Sequence, residues 1–264
     1  MAGTLTANQL RIIILGAGNV ATHLAINLAP NCYIEQIYNH KIDSAQKLAK
    51  EIGETTEAID SIDKLKHDAD IYIVSIKDDA VARLAESLRG FGGLWVHTSG
   101  SVPPQTLAKI TDTYGVLYPM QTFSKNVYVK MSDVPIFVEG SDIASLEKIK
   151  AVAHLLSDHI YDSTQEGRLR LHIAAVFACN FTNYLWSQSA EILNGIGLDF
   201  SIMRPLIEAT LNKAIATSPS EGQTGPARRN DMTVINKHLD ILDGNRREIY
   251  KKLSENIIEK YSNQ

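Results

Sequence analysis

Four consecutive apolar residues, Ile12-Ile13-Ile14-Leu15, run directly into Gly16-Ala17-Gly18-Asn19-Val20-Ala21 and then into a segment of helical character as far as Leu28. A buried strand that stops on this pattern and restarts as a helix has few ways to fold. Gly16 permits a tight turn, Gly18 lets phosphates approach the backbone, and Ala21 is small enough for the helix to pack closely on the strand. The free N–H groups at the helix start then face an anion, which the helix dipole also favours. The prediction is a β-α-β unit that binds a dinucleotide, with Gly16, Ala17, Gly18, Asn19, Val20 and Ala21 around its pyrophosphate. The plain alternative is a tight turn that binds nothing.

The text that follows keeps the same alternation. Short β-branched runs at 11–15, 33–38, 71–76, 94–97 and 116–117, with a weaker one at 55–59, are separated by helical segments at 19–28, 44–53, 79–88 and 104–112. Such spacing predicts right-handed crossovers around a parallel sheet. A strand at 134–139, a helix at 143–156 and a strand at 159–162 extend the sheet. Beyond them the strand pattern ends, and 166–218 and 230–261 read as helices around a turn-forming stretch, Ser218-Pro219-Ser220-Glu221-Gly222-Gln223-Thr224-Gly225-Pro226. The expected fold class is therefore α/β, a Rossmann doubly wound, mainly parallel sheet followed by an all-α domain, divided as 1–163 and 164–264.

Composition narrows the function classes. A chain of 264 residues, 44% hydrophobic and 21% charged, has apolar material for two domains. Its formal net charge of -4 gives no electrostatic reason to bind nucleic acid or an anionic membrane. No apolar run approaches the roughly 20 residues needed to span a bilayer, and the polar residues 1–9 lack the pattern of a secretory signal, so a cytoplasmic location is expected. The two cysteines, Cys32 and Cys179, suggest neither a disulfide framework nor a metal site. Both are expected to be reduced, buried packing residues.

Cofactor choice in such a sheet turns on the end of the second strand, where a carboxylate would hold the adenosine ribose and repel a 2′-phosphate. Here the strand ends Asn39-His40-Lys41, while Glu35 lies too early. Donors and a cation without a carboxylate favour NADP over NAD; the alternative is that Lys41 merely opens the next helix in solvent. Strand C-termini line the ligand crevice, which brings in Ser75, Ile76 and Lys77 from the strand at 71–76. The next strand adds His97-Thr98-Ser99-Gly100-Ser101, with Ser99 and Gly100 toward the nicotinamide and substrate.

The apolar helix from Leu169 to Leu193 carries His172, Asn180, Thr182 and Asn183. At 100° per residue, His172 and Asn183 fall within about 20° of one another and Asn180 about 80° from His172. On chemistry alone the favoured reading of His172 is a satisfied core histidine rather than a functional residue.

The ordering of Gly16 to Ala21, His97-Thr98-Ser99-Gly100, Tyr118-Pro119-Met120-Gln121-Thr122-Phe123, His172 to Asn180 and Thr224-Gly225-Pro226-Ala227-Arg228-Arg229-Asn230-Asp231 resembles that of a known family. It is that of NADP-dependent oxidoreductases with a Rossmann domain and a helical domain of the 6-phosphogluconate dehydrogenase C-terminal type. The branch it resembles combines a Rossmann-like domain with a C-terminal domain of unknown function, and is often labelled deazaflavin-dependent. The resemblance implies hydride transfer between NADP and a small, anionic substrate held between the domains. It implies His172 as the acid/base group, Asn180 and Asn183 as amides toward the substrate, Ser99 as an auxiliary contact and Arg229 as an anion clamp oriented by Asp231; the alternatives are that Ser99 belongs to an ordinary loop and that Arg229 and Asp231 make a loop-to-helix pairing or a subunit contact. It also implies a homodimer. The lysine that serves proton transfer in the β-hydroxyacid dehydrogenases has no counterpart here, and Asn230 replaces the usual glycine. The other reading is an NADP-binding sensor without turnover.

Overall fold

Alternate residues of the first strand face opposite ways, and both ways lead into a core. In the computed structural model, which describes residues 10–262, Ile12 and Ile14 enter one hydrophobic cluster while Ile13 and Leu15 enter another, all fully buried. This is why the strand is apolar throughout rather than alternating. Residues 1–9, where no secretory signal is expected, lie outside the described residues.

The chain divides into two compact units, one ending at Cys179 and one beginning at Asn180. The first unit is built on eight strands: β1 (Arg11–Leu15), β2 (Tyr33–Tyr38), β3 (Glu57–Ile59), β4 (Ile71–Val74), β5 (Leu94–His97), β6 (Tyr114–Pro119), β7 (Ile136–Gly140) and β8 (Ile160–Asp162). They form one sheet in the order β3-β2-β1-β4-β5-β6-β7-β8. Every neighbouring pair is parallel except β6 with β7. The first six strands have the Rossmann order, and the order reverses between β1 and β4, which opens a crevice at their C-terminal ends. The remaining two extend the sheet, as the sequence led us to expect.

Helices α1 (Asn19–Leu28), α2 (Ile42–Ile52) and α4 (Ile143–His154) cover one face, sharing a core with Ile12, Ile14, Ile73 and Val138. On the other face α3 (Asp78–Ser87) packs with Ile13, Tyr72, Val74 and Trp95. Trp95 is fully buried and stacked on Tyr72, with ring centroids 4.2 Å apart. The helix expected at 104–112 is instead a 3-10 segment, Pro104–Lys109, because its buried Pro104 and Leu107 leave only a few residues for the return to β6. Glu35, in the middle of β2, is buried and paired with Arg11 at 2.7 Å and Lys66 at 2.9 Å, well away from the strand's C-terminal end.

After β8 the described residues hold helices and turns only. Helix α5 (Gln165–Ala175) begins on a Thr164 cap, whose hydroxyl accepts from the Gly167 N–H at 3.1 Å. It runs into a π segment, Val176–Phe181, and then α6 (Thr182–Asn194). The uniform 100° per residue expected from Leu169 to Leu193 therefore fails. A π turn closes i to i+5 and takes more residues per turn, so everything after it is rotated back. Cys179 lies exposed in this segment, contrary to the expectation that both cysteines are buried; Cys32 is buried just before β2.

The second unit continues through Gly197, whose φ is 77°, to a 3-10 turn at Phe200–Met203, α7 (Arg204–Ala216), α8 (Met232–Ile241) and α9 (Gly244–Tyr261). Asp231 caps α8 by accepting from the Val234 N–H at 3.1 Å, and Asn230 before it is left-handed, with φ 52° and ψ 38°. That conformation is the one a glycine supplies most easily and an asparagine tolerates, which explains why Asn230 replaces the glycine without losing the turn. No helix among the described residues is long and apolar enough to cross a membrane.

Candidate functional site

Gly16 sits at φ 125°, and a Cβ built on it would lie 2.1 Å from the Ser75 carbonyl oxygen. Only glycine lets the end of β1 pass this close to the end of β4. Gly18 is the N-cap of α1, and a Cβ there would meet nothing within 4 Å. Helix α1 has no side-chain cap and no acidic residue in its first turn, so its N–H groups and dipole are left for an anion.

Above these residues opens a crevice of about 1060 Å³, at the upper end of the size of ligand sites. Gly16, Ala17, Gly18, Asn19 and Val20 line it at the glycine turn, and Ala21 lies beneath, fully buried against the sheet. Asn39 and His40 line it from β2, and Ser75, Ile76 and Lys77 from β4. Lys41 does not. It is exposed at the N-cap of α2, and its carbonyl accepts from the Asn39 side-chain amide at 3.0 Å. The arginine among the lining residues is Arg83, on α3. Its only ion pair among the described residues is with Asp79 at 3.3 Å, both side chains being about 70% exposed, and such a pair is worth at most about 1 kcal/mol. Glycine turn, uncapped helix and a crevice of this volume together fit a dinucleotide.

At the other end the crevice is lined by Thr98 and Ser99. The Thr98 hydroxyl donates to Ser75 at 3.2 Å, tying the ends of β4 and β5 together. The Ser99 hydroxyl is already engaged, accepting from the N–H groups of Ser101 and Val102 at 3.1 Å each, so it shapes the loop. His97 helps from below: its Nδ1 accepts from the Ser99 N–H at 3.2 Å. Burial, with the Arg168 charge adding, pulls its imidazole down to about 4, so it is neutral at pH 7.

Gly100 is buried immediately behind this loop, and a Cβ on it would lie 3.1 Å from both the His172 Cβ and the Tyr118 Cζ. The Tyr118 hydroxyl, from the end of β6, lies 3.3 Å from His172 Nδ1 on α5. Burial raises the Tyr118 pKa, and the negative charge of Asp78 adds to this, so the phenol stays protonated; it donates to Nδ1 or accepts from Nδ1–H according to the His172 tautomer. One helical turn before His172, the fully buried Arg168 pairs with Glu139 on β7, which anchors α5 with His172 over Tyr118. Neither Tyr118 nor Arg168 is a site candidate from sequence. Tyr118 sits in an apolar strand and Arg168 among the charged residues that open α5, and only the fold brings them to this end.

Asn180 and Asn183 belong to the helical unit and are exposed there. Arg229, in the same unit, is exposed; its N–H donates to the Pro226 carbonyl at 3.1 Å while its side chain has no hydrogen-bond or ion-pair partner among the described residues, whereas neighbouring Arg228 lies over the Tyr261 ring at 4.4 Å. Asp231 is committed to capping α8.

Comparison with curated proteins returns no match. Two family models match: a domain of unknown function, DUF2520, over residues 134–257, and shikimate / quinate 5-dehydrogenase over residues 2–88. Among solved structures the chain is similar to a putative NADP oxidoreductase from Bacteroides fragilis, with 39% identity over 95% of this chain and 98% of that one and a TM-score of 0.90. It is similar in fold to a protein from Thermotoga maritima, at 23% identity over 94% and 99% with a TM-score of 0.76. The fold is also that of an imine reductase from Myxococcus stipitatus in complex with NADP+, at 15% identity over 94% and 92% with a TM-score of 0.63. By its likeness to the Bacteroides protein along almost the whole of both chains, and by the domain in its second half, this chain belongs to the family of Rossmann-like proteins that carry DUF2520 at the C-terminus.

Proposed function

We propose that the protein is an NADP-dependent oxidoreductase that transfers a hydride between nicotinamide and a small, anionic substrate, with the Tyr118–His172 pair moving the accompanying proton. The observation that carries this reading is the 3.3 Å approach of the Tyr118 hydroxyl to His172 Nδ1, packed on Gly100, the residue next to Ser99 at the crevice end. When bound, the cofactor supplies the hydride. In the direction of reduction, His172 with a hydrogen on both ring nitrogens donates Nδ1–H to the Tyr118 oxygen and passes its Nε2 proton to the substrate oxygen or nitrogen, which leaves a neutral ring; in the reverse direction Nε2 takes that proton back. Asn180 and Asn183 serve as substrate-facing amides. The unpartnered guanidinium of Arg229 suits a carboxylate or phosphate, which it meets with paired N–H groups.

Turnover is tested by following NADPH oxidation with a panel of keto acids, imines and a deazaflavin. His172→Ala is expected to lower kcat by about 10²- to 10⁴-fold at unchanged NADPH affinity, with a smaller loss for Tyr118→Phe. Full turnover in His172→Ala overturns the assignment. Tight NADPH binding with no turnover of any acceptor favours a sensor instead.

The preference for NADP is supported by the absence of a carboxylate after β2 and by the cation on the opposite wall. Arg83→Ala is expected to weaken NADPH binding by about 10- to 100-fold, the value of a charged hydrogen bond, while leaving NADH binding nearly unchanged. Equal losses for both nucleotides, or a larger selective loss from Lys41→Ala, move the 2′-phosphate contact away from Arg83. We further propose that two chains associate as a homodimer, supported by helices α6 and α7, which contain no buried residue.

A further inference from the structure

A cation reaches the glycine turn from a part of the chain far outside the β-α-β unit. Between β6 and β7 the segment after Met120 is pinned to α1. Phe123 is buried, with its ring 4.9 Å from that of His23, and His23 Nε2 donates to the Ser124 carbonyl at 3.1 Å. The next residue is Lys125, whose ammonium donates to the Ala17 carbonyl at 2.5 Å, across 108 residues of sequence. Ala17 stands between the two glycines of the turn and is itself almost fully buried.

The partner of this ammonium is a neutral carbonyl, and no carboxylate among the described residues pairs with it. An ammonium has three donors and a full charge, and one carbonyl uses a single donor and balances none of the charge. The adjoining α1 N-terminus offers no negative side chain either. Lys125 is exposed, so water meets its other donors, and it lies outside the residues that line the crevice, but its ammonium and the helix dipole sit on the same turn with no anion of the protein's own between them.

We propose that Lys125 is a cofactor-binding residue, the cation that meets the diphosphate of the dinucleotide at the glycine turn. The proposal rests on the reading of the crevice as a dinucleotide site. A lysine suits this place better than an arginine: its compact ammonium swings from the Ala17 carbonyl to a phosphate oxygen by rotation of its flexible stem, without moving the loop held by Phe123 and Ser124. The charge gained by ordering this loop on α1 would make the loop part of the binding site although it lies outside the fingerprint.

The test is calorimetric titration of the full chain and its Lys125→Ala and Lys125→Arg variants with three probes. They are NADPH, 2′-phospho-ADP-ribose and adenosine 2′-monophosphate, which lacks the diphosphate. Lys125→Ala is expected to weaken the first two by about 10- to 100-fold, to leave the third unchanged, and to flatten the salt dependence of NADPH binding. Lys125→Arg is expected to recover most of the loss. A matching fall in affinity for adenosine 2′-monophosphate, or unchanged NADPH affinity in Lys125→Ala, overturns the role of Lys125 while leaving the crevice as a dinucleotide site. Failure of the unaltered protein to bind any diphosphate probe overturns both.

Discussion

Gly16→Ala is expected to remove dinucleotide binding and to destabilise the first unit by about 3–5 kcal/mol, in the range reached when backbone strain and a core clash combine. The added methyl would stand 2.1 Å from the Ser75 carbonyl oxygen and 2.8 Å from its carbon, and at φ 125° an alanine is strained even in open space. Neither neighbour has room to yield. The Gly16 N–H donates to the Tyr38 carbonyl at 2.7 Å, and the Ser75 N–H to the Leu15 carbonyl at 2.7 Å, so moving either strand end breaks hydrogen bonds that hold β2, β1 and β4 together. Gly18 provides the contrast. It has an ordinary φ of -81° and nothing within 4 Å of the place a Cβ would occupy, so Gly18→Ala is expected to fold with near-normal stability while losing NADPH affinity through obstruction of the phosphates. Urea denaturation paired with NADPH titration separates the two. Equal stability of both variants with the unaltered protein would refute the account of Gly16, and normal NADPH binding by Gly18→Ala would refute that of the turn.

This pair of glycines was legible in the sequence because the requirement is local: strand, turn and helix are adjacent, and each residue type has a backbone reason to be there. The bounds of β1, α1, β2 and β5 follow from the same short-range patterns. Features that depend on distant elements were not legible. The rule for cofactor choice looks to the end of β2 and so to Lys41, yet the crevice wall opposite is α3, which brings Arg83 there from beyond two further strands. Ser99 attracts attention as an exposed hydroxyl in a polar loop, but the loop's own N–H groups occupy it. Tyr118 is hidden by the opposite effect, an apolar strand whose last turns of sequence look like packing. The π segment at Val176–Phe181 carries no local pattern that separates it from α-helix.

Leu211→Asp combined with Ile215→Asp is expected to convert a dimer into a monomer, raising the dissociation constant by more than about 10⁴-fold. In α7 these residues are 57% and 75% exposed, and as an i, i+4 pair they share one face of the helix. Leu206 on the same helix is 60% exposed, and Trp186 and Ile192 on α6 are 39% and 45% exposed. Helices of 13 residues draw most of their stability from a buried apolar face, and neither α6 nor α7 buries any residue within the single chain. Apolar surface on this scale is what a monomer avoids and what a subunit interface requires. A second copy is the occupant that supplies a matching apolar face at equal concentration, and a two-fold interface uses each face twice. Burying each side chain is worth about 1.5–3 kcal/mol, so the two substitutions remove four such contributions per dimer and place carboxylates where apolar contacts were. Light scattering coupled to size exclusion reads the outcome directly, with about twice the 29.1 kDa chain mass for the unaltered protein and the single mass for the variant. Thermal stability should rise with protein concentration for the former alone, because association then contributes to the folded state. A micromolar solution of the unaltered protein that scatters as a monomer would contradict the proposal.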